Sequence, residues 1–147
     1  MADEHAASEG ATSDDARRWA AQARHFESKV HFNRATGVRV DRWDDQAVVM
    51  TLPHEEWKCN STTGLHGGMV AALADTCGTA AALAAIGGSG FIATVSMSIN
   101  YLAVAESAVT ATGVCIKPGK RIQVTEVKVT DESGRLVADA TVTSMQP

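Results

Sequence analysis

Residues 69–86 read MVAALADTCGTAAALAAI, an apolar run with a single charged side chain, Asp75, inside it. Glycines stand just before it (Gly67, Gly68) and just after it (Gly87, Gly88, Gly90), where helices begin and end. The run predicts a helix of about 20 residues and about 30 Å. Asp75, Thr76, Gly78 and Thr79 interrupt it too often for a bilayer span, so no membrane is expected as a partner. Alanine on nearly every face lets other backbone approach from several sides, which makes this helix central to whatever surrounds it.

Its surroundings are announced by a change of period. From residue 91 on, apolar positions recur every second residue: Val95, Met97, Ile99 and Tyr101 alternate with Thr94, Ser96, Ser98 and Asn100. Residues 109–117, 122–130 and 135–145 read as three further strands, joined by turns at 118–120 and 131–134. In the third of these four strands the apolar phase slips between Val124 and Val127, as a bulge would cause. The Ser/Thr/Asn face of 94–100 is unusual for a core strand and points to a polar site or a subunit contact.

Upstream, 38–52 reads as strand, turn at Asp44-Asp45-Gln46, and strand, stopped by Pro53; 54–65 reads as a loop with room for one helical turn. Trp19, Ala23, Phe26 and Val30 fall on one stripe of an N-terminal helix over 13–34, capped by Thr12 or Ser13 and broken by Gly37. Residues 1–12, small and acidic, read as a disordered tail, leaving 13–147 as a single domain. The class expected is α+β, one antiparallel sheet of five or six strands burying a face on the long helix, with an extra N-terminal helix. Long strands in so small a domain leave an edge that pairing with a second copy would close.

Several function classes are excluded early. A net charge of −4 argues against a nucleic-acid partner, and the one basic stretch, 17–42, spreads along a helix face as solvated surface. Cys59, Cys77 and Cys115 form no CxxC or Cys/His cluster, so neither a disulfide framework nor a metal is expected. The start MADEHAASEG lacks the basic and apolar regions of a signal peptide, and a cytoplasmic location is expected. No GxSxG nucleophile elbow or dinucleotide GxGxxG occurs.

Between Lys58 and Lys117 only Asp75 and Glu106 carry full charge at neutral pH. Asp75 has Ala71, Ala72, Gly78 and Thr79 as its helical neighbours, so no cation on its own helix pairs with it. Such a carboxylate is either a general base or nucleophile in a partly apolar pocket, or a group that reaches solvent or a structural hydrogen bond. His66-Gly67-Gly68 opens the same helix, where first-turn N–H groups are uncovered and can hold an oxyanion. His66 lies nine residues from Asp75, about 13 Å along one helix, so the two ends cooperate only across a dimer.

The segment from Asn60 through Gly64, His66, Gly67, Gly68 and Leu73 to Asp75 resembles the signature of hotdog-fold acyl-CoA thioesterases of the phenylacetate-pathway (PaaI-like) type. Tyr101-Leu102, the turn Lys117-Pro118-Gly119-Lys120-Arg121 and the segment from Asp131 to Ala138 extend the likeness over 36–145. The resemblance implies a hotdog fold and hydrolysis of an acyl-CoA by a dimer or a dimer of dimers. No cofactor is implied, coenzyme A being part of the substrate. By the same likeness Asp75 of one subunit attacks or activates water, and the Gly67 N–H of the other polarises the carbonyl. Asn60 positions water or carbonyl, His66 supports the thioester end or its loop, and Thr94 sits near the carboxylate. Gly68 borders the substrate. Lys117, Lys120 and Arg121 are candidates for the phosphates of coenzyme A, the alternative being a solvated turn.

Two other readings compete. A hotdog hydratase or dehydratase would use a His–carboxylate pair, but the helix starts His-Gly-Gly rather than in the His-Phe-Pro-like way of that group. An acyl-CoA-sensing module would carry a DNA-binding part, for which residues 1–35 offer one helix and an acidic start.

Overall fold

The elements run α1 (Ser13–Ser28), α2 (His31–Thr36), β1 (Arg39–Trp43), β2 (Val48–Leu52), one 3-10 turn (Glu56–Lys58), α3 (Gly67–Ala85), β3 (Ala93–Tyr101), β4 (Val109–Pro118), β5 (Ile122–Asp131) and β6 (Leu136–Met145), in a computed structural model that describes residues 11–147. Of the tail expected over 1–12, residues 1–10 lie outside the described residues.

The six strands form one antiparallel sheet in the order β1-β2-β4-β5-β6-β3, and α3 lies across one face of it. This is the α+β hotdog fold with an additional N-terminal helix. The core is small and branched, as the composition requires: Leu73, Ala74, Cys77 and Ala80 of α3 pack on Met50, Val109, Ala111, Val127, Ala140 and Val142 of the sheet. Two glycines set how closely helix and sheet approach. A Cβ on Gly113 of β4 would stand 3.0 Å from the carbonyl oxygen of Cys77, and one on Gly78 would stand 2.6 Å from Val142. The sole described helix long and apolar enough to cross a bilayer is α3, and it is the core helix of this fold.

Thr12 caps α1. Its Oγ1 accepts from the Asp15 N–H at 3.2 Å, and the Asp15 carboxylate accepts from the Thr12 N–H in return. The helix expected over 13–34 is two helices, because the carbonyl of Phe26 accepts from the buried Asn33 side chain at 2.9 Å instead of from Val30. That side-chain bond competes with helix continuation, and Val30 turns extended. The stripe Trp19, Ala23, Phe26 lies against the body of the fold, with Phe26 edge-on to Trp43 of β1 at 4.8 Å between ring centroids.

Two strand expectations need correction. No slip occurs between Val124 and Val127: Gln123, Thr125, Val127 and Val129 all face α3, so the apparent phase change is two polar residues buried on the core side. In β3 the simple alternation fails at its start. Thr94 pairs with Ser144 and Ser96 with Thr143, so Val95 is the extra residue of a bulge. The bulge puts Thr94 on the α3 side with Met97 and Ile99, and leaves Val95 exposed. Among the described residues β3 pairs with β6 alone and is therefore an edge strand.

Candidate active site

Asp75 sits midway along α3 and is half-buried. Its Oδ1 accepts from the Thr94 hydroxyl at 2.6 Å, the one hydrogen bond the carboxylate makes among the described residues. Thr94 reaches it only because the bulge turns it inward. The donor that an isolated mid-helix carboxylate requires thus comes from the sheet edge, and the second oxygen stays free for chemistry.

Asp75 borders a cavity of about 600 Å³ between α1 and α3. Asp75, Thr79 and Leu83 line it from α3, Gln22 and Phe26 from α1, and Phe91 and Ile92 from the connection to β3. A volume of this size accommodates a small organic ligand. Arg18 and His25 of α1 also line it, so part of the basic stretch read as solvated surface faces the cavity.

The start of α3 is built separately. His66 is its N-cap, and its Nδ1 accepts from the Gly68 N–H at 2.8 Å. That bond occupies Gly68, fixes the neutral ring as the tautomer with the proton on Nε2, and points Nε2 outward. The Gly67 N–H has no acceptor among the described residues. Its carbonyl accepts from the Tyr101 hydroxyl at 3.1 Å, and a Gly67 Cβ would meet the Tyr101 ring at 3.4 Å, in ordinary contact. The last residue of β3 therefore anchors the first turn of α3 beside the free donor, a part for Tyr101 that sequence reasoning did not assign.

Asn60 lies two residues beyond the 3-10 turn and is exposed. Its Oδ1 accepts from the Thr62 N–H at 2.8 Å and its N–H donates to the Gly64 carbonyl at 2.9 Å, which closes the loop that delivers His66. Its side-chain amide N–H groups make no protein hydrogen bond among the described residues. Lys58, fully buried, anchors that loop from beneath, and its carbonyl accepts from the His66 N–H at 2.8 Å. No sequence signal marks Lys58 as buried.

Within one chain these two centres stay apart. Gly67 and Asp75 are eight residues, about 12 Å, apart on one helix. Lys117 at the end of β4 and Lys120 and Arg121 on the β4–β5 connection are exposed and make no ion pair among the described residues. The Arg121 carbonyl accepts from the Gln146 N–H, and the Gln146 side chain donates to Ser89, which places this basic tip at the end of the sheet where α3 stops and β3 begins.

The thioesterase superfamily profile matches residues 64–138, half of the chain. The match covers α3, its glycine start and the strands that flank it, and the chain belongs to that superfamily. A curated Vibrio cholerae protein bearing an esterase's name is 35% identical over 100 residues, 67% of this chain and 67% of that one. Among solved structures, AziG of S. sahachiroi is 27% identical with a TM-score of 0.72, covering 78% of this chain and 94% of its own. The PaaI protein of the E. coli phenylacetic acid degradation operon reaches a TM-score of 0.82 at 19% identity, covering 90% and 96%, a likeness of fold.

Proposed function

We propose that this chain is an acyl-CoA thioesterase of the PaaI-like kind, working as a homodimer or a dimer of dimers with its sites at the subunit seam. The observation that carries the reading is the Thr94–Asp75 hydrogen bond on a cavity wall, at 2.6 Å, on a strand whose other edge is unpaired among the described residues. If two β3 edges pair antiparallel, the Thr94 end of one strand lies beside the Tyr101 end of the other. That brings the free Gly67 N–H of one protomer toward Asp75 of the second, which a single chain cannot do.

Asp75 then acts as general base on water or as nucleophile on the thioester carbonyl, and thiolate departs without needing a metal. The Gly67 N–H receives the charge that develops on oxygen, a contribution of about 3 kcal/mol for one such donor. Asn60 holds the water or the carbonyl with its free amide. His66 offers Nε2–H near the thioester, and Gly68 leaves the approach open. Lys117, Lys120 and Arg121 meet the phosphates of coenzyme A. Residues 13–147 act as one domain in this scheme.

Thiol release from a panel of short, long and aromatic acyl-CoAs, with Asp75→Asn beside the wild type, tests the reading. Asp75→Asn keeps shape and removes the proton acceptor, so kcat drops by about 10²- to 10⁴-fold. An acyl-CoA sensor would bind the same panel without releasing thiol, and equal release by both proteins would overturn the role of Asp75.

A further inference from the structure

The cavity between α1 and α3 has a direction. Asp75, Thr79 and Leu83 follow one another at four-residue intervals, so they form a line about 12 Å long on one face of α3. Asp75 stands at one end. At the other, the Gly88 N–H donates to the carbonyl of Leu83 at 2.7 Å, folding the α3–β3 connection back over the helix terminus.

Gln22 of α1 reaches over that far end from the opposite side, its Nε2 donating to the carbonyl oxygen of Gly88. The contact is close enough that a Cβ on Gly88 would collide with the Gln22 amide, and Gly88 has φ of +69°. Gln22 Oε1 is buried and has no hydrogen-bond partner among the described residues. α1 therefore carries two rows of function: Trp19 and Ala23 attach it to the fold, Ala21 and Gln22 face the cavity, and Phe26 does both.

We propose that this cavity is the acyl subsite and that Gln22 is its end stop, selecting straight acyl chains of medium length over long ones. The acyl carbonyl lies at Asp75 and the terminal methyl against the Gln22–Gly88 bridge. A longer chain must part that bridge and leave the Gly88 carbonyl and the amide unpaired in an apolar place, which costs more than the added methylenes return. The proposal rests on the thioesterase reading above and adds the substrate's acyl length and the residue that sets it.

The test is kcat/KM for acetyl-, hexanoyl-, decanoyl- and palmitoyl-CoA with wild type, Gln22→Ala and Ala21→Trp. Wild type should prefer decanoyl- over palmitoyl-CoA by about tenfold or more, and Gln22→Ala should raise the palmitoyl-to-decanoyl ratio by about tenfold. Ala21→Trp fills the cavity from an exposed helix position and should lower the decanoyl-to-acetyl ratio by about tenfold. Thiol release with ratios unmoved in both variants overturns the subsite and leaves the thioesterase reading standing. If the wild type releases no thiol from any substrate, that reading fails and the subsite is judged by calorimetry with decanoate as the probe. Binding by wild type that Ala21→Trp abolishes supports the subsite, and absence of binding to wild type overturns it.

Discussion

The wholly buried ammonium of Lys58 donates to the carbonyl oxygen of Thr36, the last residue of α2. It also donates to the Pro53 carbonyl at 3.0 Å and the Glu55 carboxylate at 2.8 Å, while its own carbonyl holds His66. One residue thus ties the ends of α2 and β2 to the start of α3. Lys58→Met replaces most of the volume but strands buried carbonyl oxygens, and should lower unfolding stability by about 3 kcal/mol. The urea midpoint should fall with an unchanged slope. The bond from Lys58 also holds the Glu55 carboxyl below the usual carboxylate range. A depressed folded value gives stability present above the unfolded value, near pH 4.3, and lost as pH falls through the folded one. The gap between wild type and Lys58→Met should therefore narrow in acid, as seen in denaturation curves measured at successively lower pH.

Burial pushes the Cys77 thiol up to about 12, beneath β2 and β4. At pH 8 only about one thiol in 10⁴ is ionised, and it has no path to solvent. Iodoacetamide should leave Cys77 unmodified in the native protein and alkylate it once urea unfolds the chain, as followed by peptide mass spectrometry. Labelling of native Cys77 within minutes would mean that α3 is not seated on the sheet as described.

Thr94→Val keeps the volume at the bulge and removes the donor to Asp75. The carboxylate then loses its fixed orientation but not its charge, so kcat should fall by about tenfold while KM changes little. Thr94→Ser, which retains a hydroxyl, should recover most of the rate. Equal rates for Val and Ser at this position would show that the hydrogen bond plays no part in turnover.

How much of this was legible in the sequence varies with the kind of information. The central helix announced itself through alanines bounded by glycines, and the sheet through a period of two, because both are local patterns that packing merely completes. The break between α1 and α2 did not, since it comes from Asn33 claiming the Phe26 carbonyl and no glycine or proline marks it. Thr94 was found by resemblance while its periodicity placed it on the wrong face; the bulge at Val95 depends on pairing with β6. Lys58 reads as a surface lysine because its three acceptors come from segments distant or irregular in sequence. The cavity escaped notice for the same reason: Trp19, Ala23 and Phe26 predict that α1 docks, but not that its neighbouring row would face Asp75.

The strongest test of a shared site uses two inactive proteins. Gly67 is the first residue of α3, a position that tolerates proline because the N–H there has no helical acceptor. His66 before it has φ −59° and ψ 135°, compatible with a following proline. Gly67→Pro should fold with little change in melting temperature yet lose the oxyanion donor, lowering kcat by about 10²- to 10³-fold. Asp75→Asn removes the base from the other half of the site. If each site takes Asp75 from one protomer and Gly67 from its partner, unfolding and refolding an equal mixture of the two variants gives mixed dimers with one intact site. Random pairing makes half of the dimers mixed, so activity should recover to about a quarter of the wild-type value. A site contained within one chain gives no recovery on mixing, because every chain in the mixture lacks one of the two groups. Gly67→Pro at full activity would remove Gly67 from the mechanism and leave the outward Nε2–H of His66 as the candidate oxyanion donor.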